Sequence, residues 1–272
     1  MGITQQYISA KENPAIKLYR KLAKNKKARM QEQLFVLEGY RLVSDALKNG
    51  AELTHLFLTE QAEVRYADTV LSMVQKNCKV LHISDGLGDH IAETEHPQGV
   101  FGICRMPVQK SWDEILQKQG KYAVLHQLQD PGNAGMILRT ADALGITAVI
   151  FCESCDVYSP KVVRATMGSL FRVQVLTVQD PEEVLDALAA HDVESWAAVV
   201  QGQAEFAGEC AFGAESCAVW IGNEGNGLPA EVADRCAHRI TIPMHGTIES
   251  LNAAMAAGIL MWEMTKRTEK RG

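Results

Sequence analysis

Three short polar segments hold the residues whose types and spacing could do chemistry. Asp130 to Ala141 carries Asn133 and Arg139, Ile221 to Pro229 carries Gly222, Asn223, Glu224, Gly225 and Gly227, and Ile242 to Asn252 carries Met244, Ser250, Leu251 and Asn252. Each follows a strand-like apolar run and leads into a helix-like one, which is where open α/β sheets place their ligands. Glycines at such a turn permit positive φ and let backbone approach a ligand closely. A catalytic domain is the first expectation. The familiar phosphate and hydrolase templates do not fit. Gly222, Gly225 and Gly227 spell G-x-x-G-x-G, the wrong order for a dinucleotide fingerprint, and stand late in their domain instead of after its first strand. There is no G-x-x-x-x-G-K-[ST] and no G-x-S-x-G elbow.

Other reactive residues read as structural. The seven cysteines are odd in number and scattered, and Cys152-Glu-Ser-Cys155 has no second ligand pair at zinc spacing, so neither a disulfide framework nor a metal site is expected. His126, on a strand before the first segment, reads as a satisfied core residue, and His245 as a neighbour of the site at most. Ser250 is placed to cap the last helix, and Asn133 could act as a helix cap alone.

The elements that must position these groups alternate in type. Residues 13–28 read as a helix, 34–37 as a strand, 39–48 as a helix, 53–58 as a strand, 61–76 as a helix, and 80–83 and 100–105 as strands. This describes a small α/β domain over 1–107, followed by a linker over 108–120 with a short amphipathic helix at 112–117. In 121–272 the strands fall at 122–128, 147–152, 171–176, 196–200, 218–221 and 239–242. The helices fall at 134–144, 160–167, 181–190, 229–236 and 250–265. Strands joined through helices imply a mostly parallel sheet.

Composition bounds the class. The 272 residues are 47% hydrophobic and 22% charged, an ordinary globular balance, and no apolar run is long enough to span a membrane. The first residues lack a signal-peptide layout, and a cytoplasmic protein is expected. A net charge of -6 conceals an asymmetry: Lys11, Lys17, Arg20, Lys21, Lys24, Lys26, Lys27 and Arg29 face only Glu12 within residues 11–29. Such a stretch can contact phosphates locally, or it can be a solvated helix face. The short tail from Lys266 to Arg271 reads as a soluble end.

The motifs carry a family resemblance. Asn133-x-Gly-x-x-x-Arg139-Thr-Ala, Gly222-Asn-Glu224-Gly-x-Gly and Ile242-Pro-Met-x-Gly-x-x-Glu-Ser250-Leu-Asn252 resemble, in order and spacing, the three motifs of the SpoU/TrmH family of RNA ribose 2'-O-methyltransferases. The intervening Lys161 to Phe171 is similar to that family's segment between motifs one and two. Phe35-Val-Leu-Glu-Gly-Tyr-Arg41 resembles the ribosomal-protein-like substrate-binding domain that many members carry.

The resemblance implies an α/β fold with a deep trefoil knot at the C-terminus, S-adenosylmethionine held in the knot, and a homodimer whose active site uses both subunits. It implies Asn133, Arg139, Glu224, Ser250 and Asn252 as catalytic residues, with Glu224 and Asn252 free to orient the arginine, the partner subunit or the substrate. Ile221, Gly222, Asn223, Gly225, Ile242, Met244 and Leu251 are the implied cofactor-binding residues. The implied substrate is structured RNA, ribosomal or transfer; Lys24, Lys26, Lys27, Arg29 and Arg41 of the N-terminal domain are expected to grip it, and neither a metal nor a membrane is expected. Two alternatives stay open: a noncatalytic RNA-binding adaptor of the same fold, and a nicotinamide-dependent oxidoreductase.

Overall fold

A computed structural model describes residues 5–200, 203–213, 215–245 and 247–266. The basic tail beyond Lys266, the extreme N-terminus and Gly246 of the third motif lie outside the described residues. The chain forms two compact units, each drawn from two stretches. One contains the residues up to Val108 together with Tyr158–Phe171, and the other contains Gln109–Val157 with the residues from Arg172 onward.

The first unit opens with β1 (Gln5–Ile8), α1 (Pro14–Lys24), α2 (Lys26–Glu32), β2 (Leu34–Glu38) and α3 (Tyr40–Lys48). It continues with β3 (Leu53–Thr59), α4 (Glu60–Met73), β4 (Lys79–Ile83), α5 (Asp85–Ile91) and β5 (Val100–Arg105). The sheet order is β1-β4-β3-β5-β2, with β1, β4 and β3 parallel and β5 antiparallel to both of its neighbours. Tyr19 of α1 sits edge-on to Phe57 and Phe101, at 5.7 and 5.8 Å, in the centre of the core.

The helix expected over 13–28 is two helices. Asn25 is extended at φ -125, ψ 109, and its side chain accepts from Ala28 N–H, so one residue stops α1 and caps α2. Periodicity continued through the break because both helices place apolar residues inward. β1 and α5 were not legible. β1 is a short polar edge strand, and α5 contains Gly86 and Gly88, residues that read as a turn.

The second unit runs α6 (Trp112–Ile115), β6 (Lys121–His126), α7 (Pro131–Ala143) and β7 (Ala148–Cys152); α8 (Pro160–Ala165) follows in the chain but packs with the first unit. It resumes with β8 (Gln174–Val178), α9 (Pro181–Ala190), β9 (Glu194–Ala198), β10 (Glu205–Phe206), β11 (Cys217–Ile221), α10 (Ala230–Arg235), β12 (His238–Thr241) and α11 (Ala253–Thr265). All six strand pairings are parallel, in the order β10-β12-β9-β11-β6-β7-β8. β6, β7 and β11 are buried along their whole length, as parallel strands covered on both faces must be. Residues 109–120 are packed against this unit, with Ile115 and Leu116 in its core.

The strand expected at 171–176 begins only at Gln174, because Ser169–Phe171 forms a 3-10 turn and Phe171 turns back onto Phe35 of the first unit at 6.3 Å. The helix expected from Ser250 begins at Ala253. Its cap is Asn252, whose Oδ1 accepts from Ala254 and Met255 N–H, so Ser250 is left out of the cap.

Candidate active site

The ends of β6, β11 and β12 lie at one edge of the central strands, and the loops that follow them meet. Asp130 caps α7 by accepting from Asn133 N–H at 2.7 Å, with Pro131 at the first helical position. Asn133 is therefore not the cap. Its side chain is buried and bridges two other loops. Its Nδ2 donates to Glu224 Oε1 at 3.1 Å, and its Oδ1 accepts from Asn252 Nδ2 at 3.0 Å. Glu224 also accepts from the backbone N–H groups of Gln129 and Asp130 at 3.1 and 2.9 Å. Burial alone would raise the Glu224 pKa. The N–H donors of Asp130 and Gln129, joined by the Asn133 amide, outweigh it and hold the carboxyl below its ordinary value.

The turn after β11 is built from its own backbone. Asn223 and Gly227 exchange N–H···O=C bonds at 2.9 Å in both directions, and Asn223 Oδ1 accepts from Gly225 and Asn226 N–H. Asn223 Nδ2 ties the turn to the carbonyl of Gln127 at 2.8 Å. The glycines serve different needs. Gly227 adopts φ +68, whereas Gly222 has no room for a side chain, since a Cβ there would stand 2.1 Å from the Gly227 carbonyl carbon.

A cavity of about 300 Å³ opens beside this turn. All seven residues expected to bind cofactor line it: Ile221, Gly222, Asn223, Gly225, Ile242, Met244 and Leu251. Glu224 and Ser250 line it too, and Ala253, Ala256 and Leu260 of α11 close one side. Val199, Val200 and Thr241 also contribute and were missed in the sequence. Their only signal is position, at or just beyond the ends of parallel strands. Met244 and Leu251 are more than one-third exposed, apolar surface that a ligand in the cavity would cover.

Arg139 is elsewhere. It projects from the exposed face of α7, is not among the cavity-lining residues, and makes no hydrogen bond or ion pair among the described residues. Glu224 and Asn252, expected to orient the arginine, the partner subunit or the substrate, both hydrogen-bond to Asn133. The exposed apolar side chains Met136 on α7 and Met255 and Trp262 on α11 belong to the same pair of packed helices.

Several other expectations are settled by burial. Arg29 cannot grip RNA: it is 4% exposed and donates to the Leu22 and Ala23 carbonyls at the end of α1. Lys24, Lys26, Lys27 and Arg41 are exposed. His126 is buried as expected but not fully satisfied, for its Nδ1 has no partner among the described residues, and burial lowers its pKa. His245 is exposed and outside the cavity lining. Burial pushes the thiol of Cys152 up to about 12 and that of Cys155 up to about 11, which makes both poor nucleophiles at neutral pH. No cluster of metal-ligating side chains occurs among the described residues.

A parallel α/β sheet with a cavity between two late strand-to-helix crossovers, flanked by an amide-carboxylate network, defines an α/β ligand-binding domain with its site at the strand ends. The chain belongs to the SpoU rRNA methylase family, whose description matches residues 120–262, and residues 13–102 match the MRM3-like substrate binding domain. It is 30% identical to the 23S rRNA (guanosine(2553)-2'-O)-methyltransferase RlmP of Bacillus subtilis, over 94% of this chain and 98% of that one. It is 32% identical to a 23S rRNA (uridine(2479)-2'-O)-methyltransferase of Streptomyces viridochromogenes, covering 90% and 86% of the two chains. The AdoMet-bound rRNA methyltransferase of Sinorhizobium meliloti superposes with a TM-score of 0.86 at 31% identity, over 98% of this chain and 99% of the other. The SpoU methyltransferase AviRb of Streptomyces viridochromogenes, in complex with AdoMet, gives 0.86 at 28% identity, covering 94% and 98%.

Proposed function

We propose that this protein is a homodimeric enzyme that methylates a ribose 2'-hydroxyl of ribosomal RNA with S-adenosylmethionine as donor. The observation that carries this reading is the Asn133 bridge between Glu224 and Asn252, because it joins all three motif loops beside one cavity. The relatives named for ribosomal RNA and the AdoMet-bound neighbours support the substrate class and the cofactor. No helix among the described residues is long and apolar enough to cross a membrane. A place of action in the cytoplasm is proposed from the relative named for ribosomal RNA.

The cavity fits the cofactor in kind. It combines apolar walls from Ile221, Ile242, Met244 and Leu251 with a turn at Gly222 where backbone replaces side chain. S-adenosylmethionine, when bound, supplies an electrophilic methyl group. The ribose hydroxyl is a weak acid that must lose its proton as it attacks, so the protein has to orient it and stabilise developing negative charge. A guanidinium is a poor base, because it stays protonated in proteins. Arg139 therefore acts by holding an RNA phosphate and countering charge. Ser250 lines the cavity and is the hydroxyl that would approach the ribose, while Asn133, Glu224 and Asn252 hold the loops.

The position of Arg139 outside its own cavity lining supports a composite site, in which the arginine of one protomer serves the cavity of the other. Met136, Met255 and Trp262 would be the apolar surface the dimer covers. The trefoil knot belongs to the same proposal. It is supported by the strand order, with β11 inserted between β9 and β6, β12 beyond β9, and α11 returning against α7 and β11.

The nicotinamide alternative is disfavoured, since the glycine turn follows β11 and not the first strand of the unit. The test is to incubate the purified chain with S-adenosylmethionine and ribosomal RNA from a strain lacking the gene, then map 2'-O-methyl marks. One new mark is expected. A mark on transfer RNA alone would change the substrate class, and cofactor binding without any methyl transfer would favour the adaptor.

A further inference from the structure

A second cavity, of about 510 Å³, lies within the first unit and plays no part in the site above. It surrounds the start of α3, where a polar stripe of Arg41, Ser44, Asp45 and Lys48 repeats at helical i, i+3, i+4, i+7 spacing. Leu42, Val43, Ala46 and Leu47 bury the opposite face.

The helix start has no side-chain cap, because its cap residue is Gly39, at φ +103. Among the described residues, side-chain oxygen meets the helix start at Tyr40 N–H alone, from Gln98 Oε1 at 2.8 Å. An uncapped helix start presents N–H donors to an anion. The independent sign of a ligand is Ser44. It is 4% exposed, lines the cavity, and its Oγ has no hydrogen-bond partner among the described residues. A buried hydroxyl left without a partner is unfavourable and calls for an occupant.

Arg164 of α8 also lines the cavity. It stands 3.6 Å from Glu38, and its Nη1 is buried without a hydrogen bond among the described residues. Glu38 is already committed to the N–H groups of Glu93 and Thr94 and to the Thr94 hydroxyl. Met167 completes the wall, 55% exposed and held at φ +50. Cations, an uncapped helix start and an unpaired hydroxyl suit a phosphodiester, and the exposed thioether gives a base an apolar face.

We propose that this cavity takes one unpaired nucleotide of the RNA substrate, with its phosphate between the α3 start, Arg41 and Lys48, its ribose or base edge on Ser44 and Arg164, and its base against Met167. The inference rests on the reading of the protein as an RNA-modifying enzyme and adds where the RNA is gripped.

The probe is a short single-stranded RNA carrying a photoreactive uridine, used with the full chain and read by crosslink mapping and by affinity over a salt series. Crosslinks to residues 40–48 or 164–167 are expected. R41E with K48E should weaken RNA binding by roughly tenfold or more and lower the salt slope by about two, with S-adenosylmethionine affinity unchanged. Ser44→Ala should weaken RNA binding while leaving the fold at least as stable, a combination that a purely structural serine would not give. Unchanged RNA affinity in the double variant overturns the pocket and leaves the methyltransferase reading intact. Competition by millimolar inorganic phosphate equal to that by the oligonucleotide reduces the site to an anion site and overturns the nucleotide. Failure of the unaltered chain to bind any RNA overturns both.

Discussion

Asn133 and Glu224, 91 residues apart in the chain, meet through one hydrogen bond of 3.1 Å, from the Asn133 amide to the Glu224 carboxylate. The second hydrogen bond, accepted by Asn133 from Asn252, fixes which way the amide points. Only a group that donates on one side and accepts on the other can serve both. Asn133→Ala should cost about 1–3 kcal/mol of stability and loosen cofactor binding. Asn133→Asp should be worse, because it sets a second carboxylate against Glu224. Thermal unfolding and calorimetric titration with S-adenosylmethionine check the order. An Asn133→Asp variant no worse than Asn133→Ala would mean that the added carboxylate meets no repulsion from Glu224.

Glu224 itself gives a pH signature. Its carboxyl is held below the ordinary value of 4.5 by hydrogen bonds that exist only in the folded protein. A group depressed in this way stabilises the fold fully above that ordinary value and loses its contribution as pH falls through the folded one. Unfolding free energy measured between neutral and acid pH should therefore fall on the acid side. In Glu224→Gln that part of the fall should vanish, with the neutral-pH stability lowered. An acid limb of unchanged depth in the variant would assign it to other carboxylates.

The sheet of the second unit was readable because parallel strands are apolar throughout, and segments such as Ala148–Cys152 admit little else. The three motif loops were readable through their resemblance, and all seven residues assigned to the cofactor line one cavity. What escaped had physical reasons. Asn25 both ends and begins a helix, which apolar periodicity cannot register. Arg29 looked like one more cation of a basic run, yet its guanidinium is spent on carbonyls seven and six residues back. Val199 and Val200 line the cavity through where their strand ends, a property of the sheet and not of their type.

Gly222 and Gly225 of the turn differ in what a side chain would meet. An added Cβ would lie 2.1 Å from Gly227 C and 2.2 Å from Leu228 N, both backbone atoms that cannot rotate away. Gly222→Ala should destabilise by about 1–3 kcal/mol and sharply weaken S-adenosylmethionine binding. Gly225→Ala, whose Cβ would meet only the Asn223 side chain at 3.5 Å, should be mild. Calorimetry on the pair tests the contrast, and a mild Gly222 variant would contradict the close approach.

The basic stretch separates into two kinds of cation. Changing Lys24, Lys26 and Lys27 to Glu should weaken RNA binding and reduce its salt slope by about three, with little effect on folding, since all three are exposed. Arg29→Met should do the reverse. It removes donors from the Leu22 and Ala23 carbonyls, lowering stability by about 1–3 kcal/mol while leaving the salt slope alone. A salt slope that responds to Arg29 and not to the lysines would reverse the assignment.

Arg139 offers the sharpest test of the composite site. Arg139→Ala should lower turnover by about 10²- to 10⁴-fold, the usual size of an electrostatic or acid-base contribution. Its S-adenosylmethionine affinity should stay near that of the unaltered protein, because the side chain does not line the cavity of its own chain. Gly222→Ala should fail for the opposite reason, with its arginine intact and its cavity spoiled. If each active site draws the arginine from one protomer and the cavity from the other, mixing the two inactive variants under conditions of subunit exchange should restore activity. The mixed dimer then holds one site with both parts intact and one with neither. If site and arginine belonged to a single chain, every site in the mixture would carry one defect and turnover would stay at the level of the separate variants.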